Sequence, residues 1–309
     1  MGSEDLLSIG ELAARAGVTV KTVRYYSDRG LLPEAGRSGG GHRRYGPEAL
    51  DRLRLIRSLR GLELPVPEVE KVIERDDVLE EVLAGQLREL GSQLTALRWR
   101  EASLRLVKEC EAGERAERLR LIGTITLPPD TGALARFWRC SLPARLPAPL
   151  TRTVLDAVVP RPPEDPTPGQ VLAFALLHGL VTDPRLADET FRPAPPLPAG
   201  AYRAAVLYEG LAEAYALAER APKAEDGSPG EGGEALDCFV AAYAGALGTR
   251  DTPAFRRRLL GLLGLSDGPV IRRYWKLAAG LFAPGEPVLG ALHHHLSVAL
   301  HAQVAARAA

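Results

Sequence analysis

Residues 20–45 read VKTVRYYSDRGLLPEAGRSGGGHRRY, and this stretch decides how the rest of the chain is understood. Arg24 is followed by Tyr25 and Tyr26. After a short polar break comes a run of glycines, 39–41, and then Arg43, Arg44 and Tyr45. Arginines pair with phosphates, and tyrosines pack beneath them and offer hydroxyls, so this interleaving suits a nucleic-acid backbone. The spacing predicts a DNA-contacting helix followed by a hairpin wing.

Working outward, Ser8 and Glu11 have capping-box spacing. They open a helix whose apolar side is Ile9, Leu12, Ala13 and Ala16, and Gly17 ends it. Thr19 can cap a second helix to about Asp28, with Val20, Val23 and Tyr26 spaced to face inward. Two short helices joined by a tight turn form a helix-turn-helix pattern, whose second helix presents Lys21, Thr22, Arg24 and Tyr25 outward. Gly30 suits a helix C-cap, and the three glycines permit a tight hairpin tip. Pro47 restarts a helix with Leu50, Leu53, Leu55, Ile56 and Leu59 inward and Arg52, Arg54, Arg57 and Arg60 outward. Pro65 and Pro67 open a shorter one. Between positions 15 and 60 there are eleven Lys/Arg against four Asp/Glu. That local excess, on a chain whose formal net charge is zero, is the footprint of a small DNA-binding module.

IGELAARAGVTVKTVRYYSDRGLLP, continued by GGGHRRYGPEALDRLRLIRSLRGLELPVPEVEKVI, resembles the N-terminal winged-helix domain of the MerR family of transcription regulators. The likeness runs in order through the RYY triplet, the GLLP exit, the wing and both following helices. Ser27 stands where the family commonly has glutamate, and His42 where the wing usually has an aromatic residue. The resemblance implies a homodimer on double-stranded promoter DNA, working with RNA polymerase by bending and untwisting the duplex. Contacts are expected from Lys21 and Thr22 to base edges, from Arg24 and Tyr25 on the helix, and from Arg43 on the wing. Arg15, Arg44 and Arg54 are phosphate candidates, and Tyr26 and Tyr45 are packing residues.

Beyond Val78, leucines recur at 83, 87, 90, 94, 97 and 104, with spacings that alternate four and three apart from Glu101. Leu83, Leu87, Leu90, Leu94, Leu97 and Leu104 are thus a coiled-coil seam on one helix expected over 78–120. The division expected is a DNA-binding domain over 1–76, a dimerisation helix over 77–120 and a helical effector domain over 121–309. That last part has almost no β-branched alternation. Helices are expected near 131–140, 151–159, 169–178, 202–220, 235–247, 253–263, 268–281 and 287–307. Proline-rich linkers fall at 159–166 and 192–198, and PKAEDGSPGEGGE at 222–234 reads as a loop. The fold class expected is mainly all-α: a winged helix-turn-helix with a small β-hairpin wing, a long dimerisation helix and a helical C-terminal domain.

Sensor chemistry narrows by elimination. Cys110, Cys140 and Cys238 are far apart and odd in number, which fits a reducing cytoplasm and offers no paired thiolates for a soft metal or an iron–sulfur cluster. His293, His294 and His295 are consecutive, so on a helix they point about 100° apart and cannot share one ion. No cofactor and no metal are expected. No motif of an enzyme appears: no Gly-x-Ser-x-Gly, no phosphate-binding Gly-Lys-Ser/Thr loop and no dinucleotide fingerprint. No apolar run is long enough to span a bilayer, and a cytoplasmic protein with no membrane partner is expected. What remains is a small organic ligand held between helices. Trp138, His178, Tyr243, Tyr274 and Trp275 are the residues proposed to line that pocket. The alternative is an effector-independent DNA-binding protein whose helical domain binds a protein partner or assembles oligomers.

Overall fold

Ser8 sets the start of the fold by accepting a hydrogen bond from the Glu11 backbone at 3.2 Å, while its own N–H donates to Glu11 Oε2 at 2.7 Å. This capping box opens α1, Ile9–Ala16, which ends where Gly17 takes a left-handed φ of 64°. Thr19 caps α2, Val20–Asp28, through a 3.1 Å bond from Thr22 N–H. Past it, Gly30 at φ 77° turns the chain so that Leu31 N–H reaches Tyr26 C=O at 3.0 Å. Each boundary thus satisfies backbone groups that a helix end would leave open.

The architecture comes from a computed structural model that describes residues 6–187, 197, 202–220, 233–266, 268–282 and 288–307. The linker expected at 192–198 and the loop at 222–234 lie for the most part outside the described residues. The chain falls into two compact units, Met1–Leu94 and Thr95–Ala309.

In the first unit the wing is a three-stranded antiparallel sheet in the order β1-β3-β2, made of Leu7–Ser8 (β1), Gly36–Arg37 (β2) and Arg43–Tyr45 (β3). The hairpin closes with Ser38 N–H on His42 C=O at 2.8 Å. The third strand, β1, was not expected, because two residues carry no period. It pairs Leu7 with Tyr45 and so ties the chain start to the wing. Helices α3, Glu48–Gly61, and α4, Val66–Glu74, complete the unit. Its core is Leu12, Val23, Tyr26, Leu32, Tyr45, Leu53, Ile56, Leu64 and Val69 with their neighbours. Tyr26 and Tyr45 are buried, as packing residues should be. Val20, expected inward, is 40% exposed because it occupies the first turn of α2.

A single 3₁₀ turn, Asp76–Val78, leads into α5, Leu79–Glu109. Its 31 residues span about 46 Å. The helix expected over 78–120, with Gly91 and Gly113 as points where it could bend or end, stops ahead of the second of these. The chain turns at 111–114, where Glu114 N–H bonds Glu111 C=O at 3.0 Å beside the helix-unfavourable Gly113, and restarts as α6, Arg115–Ile122.

The rest is helical throughout the described residues: α7, Gly132–Ser141; α8, Ala148–Val158; α9, Pro168–Val181; α10, Ala204–Arg220; α11, Gly233–Ala246; α12, Pro253–Ser266; α13, Pro269–Ala278; and α14, Leu289–Ala306. With a small sheet and fourteen α-helices among the described residues, the mainly helical class holds. Two cores organise this unit. One gathers Trp99 and Leu106 of α5 with Phe137 of α7, Phe174 of α9 and Tyr274 of α13. The other gathers Leu207, Phe239, Tyr243, Leu259 and Leu296 from α10, α11, α12 and α14. The proline-rich stretch after α8 is packed rather than free: Pro160 and Pro166 are buried, and Pro163 C=O accepts the Trp99 indole N–H at 2.9 Å. A buried Arg256 on α12 donates to Asp251 at 2.8 Å, pairs with Asp237 of α11 at 2.6 Å and reaches Gln303 of α14. A buried charge is tolerated only with such pairing.

Candidate nucleic-acid interface

The basic residues between positions 15 and 60 divide into two groups once their partners are known. Arg52 Nε donates to Leu31 C=O at 2.7 Å, and Arg57 and Arg60 donate to the carbonyls of Ala16 and Leu64. Three of the four arginines expected to point outward from α3 therefore bond backbone carbonyls near helix ends, although Arg57 and Arg60 remain exposed. Arg54 does face solvent, beside Asp51 at 3.1 Å. Arg29 pairs with Glu70 at 3.2 Å and lies 5.0 Å from the centre of the Tyr25 ring, a cation–π arrangement. Arg37 pairs with Glu34 at 3.1 Å.

Arg43 differs from its expected role. Its Nη1 lies 2.6 Å from Asp28 and its Nε 2.8 Å from Glu34, with the side chain only 27% exposed. This arginine ties the wing to the last turn of α2 instead of reaching outward. The remaining four cations, Arg15, Lys21, Arg24 and Arg44, have no salt bridge or side-chain hydrogen bond among the described residues. Arg15, Lys21 and Arg24 are exposed, and Arg44 is half-buried on β3. Arg44 and Arg15 act on Glu11, whose carboxyl is held below its ordinary range first by the Ser8 N–H and hydroxyl and then by these two charges.

On α2, Lys21, Arg24 and Tyr25 stand three and four residues apart and so share a face. Tyr25 is 43% exposed, and its ring packs edge-on against buried Tyr26 at 5.4 Å, which fixes its direction. Thr22 is half-buried because its hydroxyl lies 2.8 Å from that of Thr19. Val20 adds an exposed apolar side chain at the start of the same helix. Of the two departures noted in the sequence, His42 is exposed at the wing tip, and the Ser27 hydroxyl is enclosed without a hydrogen-bond partner.

Along α5, Leu87, Leu90, Leu94, Leu97 and Leu104 are exposed, between 42% and 69%. Leu83 instead packs on the core of the first unit. Sequence reading missed the second apolar face of this helix. Trp99, Ala102 and Leu106, spaced three and four apart, are buried in the first core of the second unit.

The five residues expected to line a ligand pocket do not meet at one place. Trp138 lies 5.1 Å from Tyr274 and 5.5 Å from Trp275 by ring centres, so those three form one cluster. The Tyr274 hydroxyl is engaged at 2.8 Å by Val158 C=O, and Gly290 of α14 closes against the Trp275 ring. Tyr243 belongs to the other core, beside Phe239 at 5.2 Å. His178, on α9, keeps an enclosed Nδ1 without a hydrogen-bond partner. Among the described residues no group of three His, Cys, Asp or Glu is placed to hold a metal ion, and no helix is long and apolar enough to cross a membrane.

Two capped helices, an exposed basic face on the second of them and a sheet-based wing define a winged helix-turn-helix protein. The chain belongs to the MerR family of helix-turn-helix regulatory proteins, whose family model matches residues 7–76. It is 31% identical over 98 residues to a transcriptional regulator described as a ZntR homolog from Haemophilus influenzae, covering 29% of this chain and 73% of that one. The nodulation protein NolA of Bradyrhizobium elkanii is 40% identical over 86 residues, 28% of this chain and 39% of its own. The transcriptional activator TipA of Streptomyces coelicolor is 46% identical over 67 residues, 22% of this chain and 26% of its own. This chain spans between 36% and 45% of the length of the NolA proteins it matches. The family is one of regulators rather than enzymes, and its model stops at residue 76.

Proposed function

We propose that the protein is a homodimeric transcription regulator that grips promoter DNA with α2 and the wing, and whose second unit answers to a small organic effector. The observation that carries this reading is the sorting of charges. Seven of the eleven cations in the basic stretch are held by carboxylates or carbonyls, while Arg15, Lys21, Arg24 and Arg44 are left for phosphates. In this reading Lys21 and Thr22, in the first turn of α2, reach base edges, and Arg24 and Tyr25 the backbone. Arg43 serves by holding the wing against α2. The exposed leucine row on α5 supplies a surface for a second copy. Two copies related by a two-fold axis would present two α2 helices to a pseudo-palindromic site. The bend and untwist by which such a dimer would act on RNA polymerase is indirect readout, sustained by backbone contacts.

The sorting makes a paired prediction. Arg24→Ala weakens binding to a duplex selected by the wild-type protein from a random pool, about tenfold at physiological salt. It also lowers the slope of log K against log salt by about one. Arg57→Ala leaves that slope unchanged and lowers unfolding stability by about 1–3 kcal/mol, because the Ala16 carbonyl loses its donor. Gel shifts over a salt series and urea melts check both. Unchanged affinity and slope for Arg24→Ala would remove α2 from the interface.

A further inference from the structure

The second unit contains a group of tyrosines that the DNA-binding role does not use. Tyr208 and Tyr215 stand seven residues apart on α10, two helical turns, and so share one face. Helix α10 packs on both α11 and α14, and α11 packs on α14. Where the three meet, Tyr215 Oη lies 2.7 Å from Nδ1 of His293 on α14. The Phe239 ring stands 5.4 Å from His293 and 5.2 Å from Tyr243, both edge-on. Tyr202, just before α10, packs against the same core, and its hydroxyl is enclosed without a hydrogen-bond partner. Tyr243 is fully buried, and its hydroxyl has no hydrogen-bond partner.

A buried hydroxyl without a partner loses its water and gains nothing in return. Buried polar groups are nearly always paired, so such an orphan asks for a missing partner. We propose that this cluster is a ligand site, and that Tyr243 hydrogen-bonds an uncharged, planar organic molecule bearing a carbonyl or hydroxyl oxygen. The chemistry of the named side chains favours that class: the tyrosines and the phenylalanine offer ring faces and O–H groups, and none of them carries a charge to balance a carboxylate or phosphate. Burial raises the pKa of Tyr208, Tyr215 and Tyr243 above the usual phenol range, so all three remain O–H donors. This site is separate from the Trp138–Tyr274–Trp275 cluster, which belongs to the other core of the unit. Its regulatory meaning rests on the proposed function, but its existence does not.

The test uses the full chain and Nile red, an uncharged planar dye with a carbonyl acceptor. The wild type should bind it saturably at one site per chain, with the emission shift of an apolar pocket. Tyr243→Phe should weaken that site roughly tenfold, the loss of one hydrogen bond. In the absence of dye the same variant should melt no lower than the wild type, because an orphan hydroxyl contributes nothing to the fold. Trp138→Phe should bind as the wild type does. Absence of saturable binding, equal affinity for Tyr243→Phe, or a lowered melting temperature for that variant would each overturn the assignment. DNA binding measured on the same samples separates the two readings: intact DNA binding with no dye site removes the ligand site alone.

Discussion

Leu90→Lys leaves the helices intact and yields monomers. Leu90 lies in the exposed row of α5 with Leu87, Leu94, Leu97 and Leu104, where a globular chain does not leave five leucines to water without cause. The spacing of three and four is that of a helix pairing with a helix. Lysine has good helix propensity and its side chain is at ease in solvent, so the isolated protomer pays little for the change. An ammonium group facing the partner's leucines would have to be desolvated without a counter-charge, which the interface cannot tolerate. Sedimentation should show one species of single-chain mass, and circular dichroism an unchanged helix content. Affinity for a two-fold DNA site should fall a hundredfold or more, because two half-sites are no longer held at one another's effective concentration. A profile that stays dimeric removes this seam from the proposal.

Trp99→Ala acts on the opposite face of the same helix and fails differently. Trp99 is wholly buried, donates its indole N–H to Pro163 at 2.9 Å and packs edge-on against Phe174 at 5.5 Å. Truncation removes the largest fully buried side chain of that core, opens a cavity and strands a carbonyl in the packed proline-rich stretch. The expected cost is about 3–5 kcal/mol. That is a large share of the stability of a typical domain. In urea the second unit should unfold well before the first, seen as an early transition by tryptophan fluorescence from Trp138 and Trp275. A loss under 1 kcal/mol would mean that Trp99 does not organise that core.

These two residues also show how much the sequence could tell. The winged helix was legible because its signals are local: Ser8 with Glu11, Thr19, Gly17 and Gly30 each act within a few residues of themselves. Strand β1 was not, since its two residues pair with a strand nearly forty positions on. The arginines of α3 read as an outward stripe by period, yet Arg57 finds its partner at Ala16, 41 residues away. Helical period places a side chain on a face; it does not say what tertiary packing brings to that face. Asp28 and Glu34 were visible as acids in a basic stretch, but only the folded wing brings both to Arg43. On α5 the leucine row drew attention to one face, while Trp99, Ala102 and Leu106 repeat at the same helical spacing and were open to the same reading. The i, i+7 spacing of Tyr208 and Tyr215 was likewise present in the sequence. Their meeting with Tyr243 and His293 depends on three helices packing together, which no local pattern encodes.

The exposed row from Leu87 to Leu104 extends only about 25 Å along the helix axis, and this brevity has a consequence for how the protein would respond in a cell. If the proposed pairing forms, so short a surface would place a monomer–dimer equilibrium ahead of DNA binding, with mass action linking the two. Below the dimer dissociation constant, occupancy of a two-fold site would rise with the square of the monomer concentration. The promoter would then register the amount of regulator made as well as any signal the regulator carries, and modest changes in expression would be amplified into sharper changes in output.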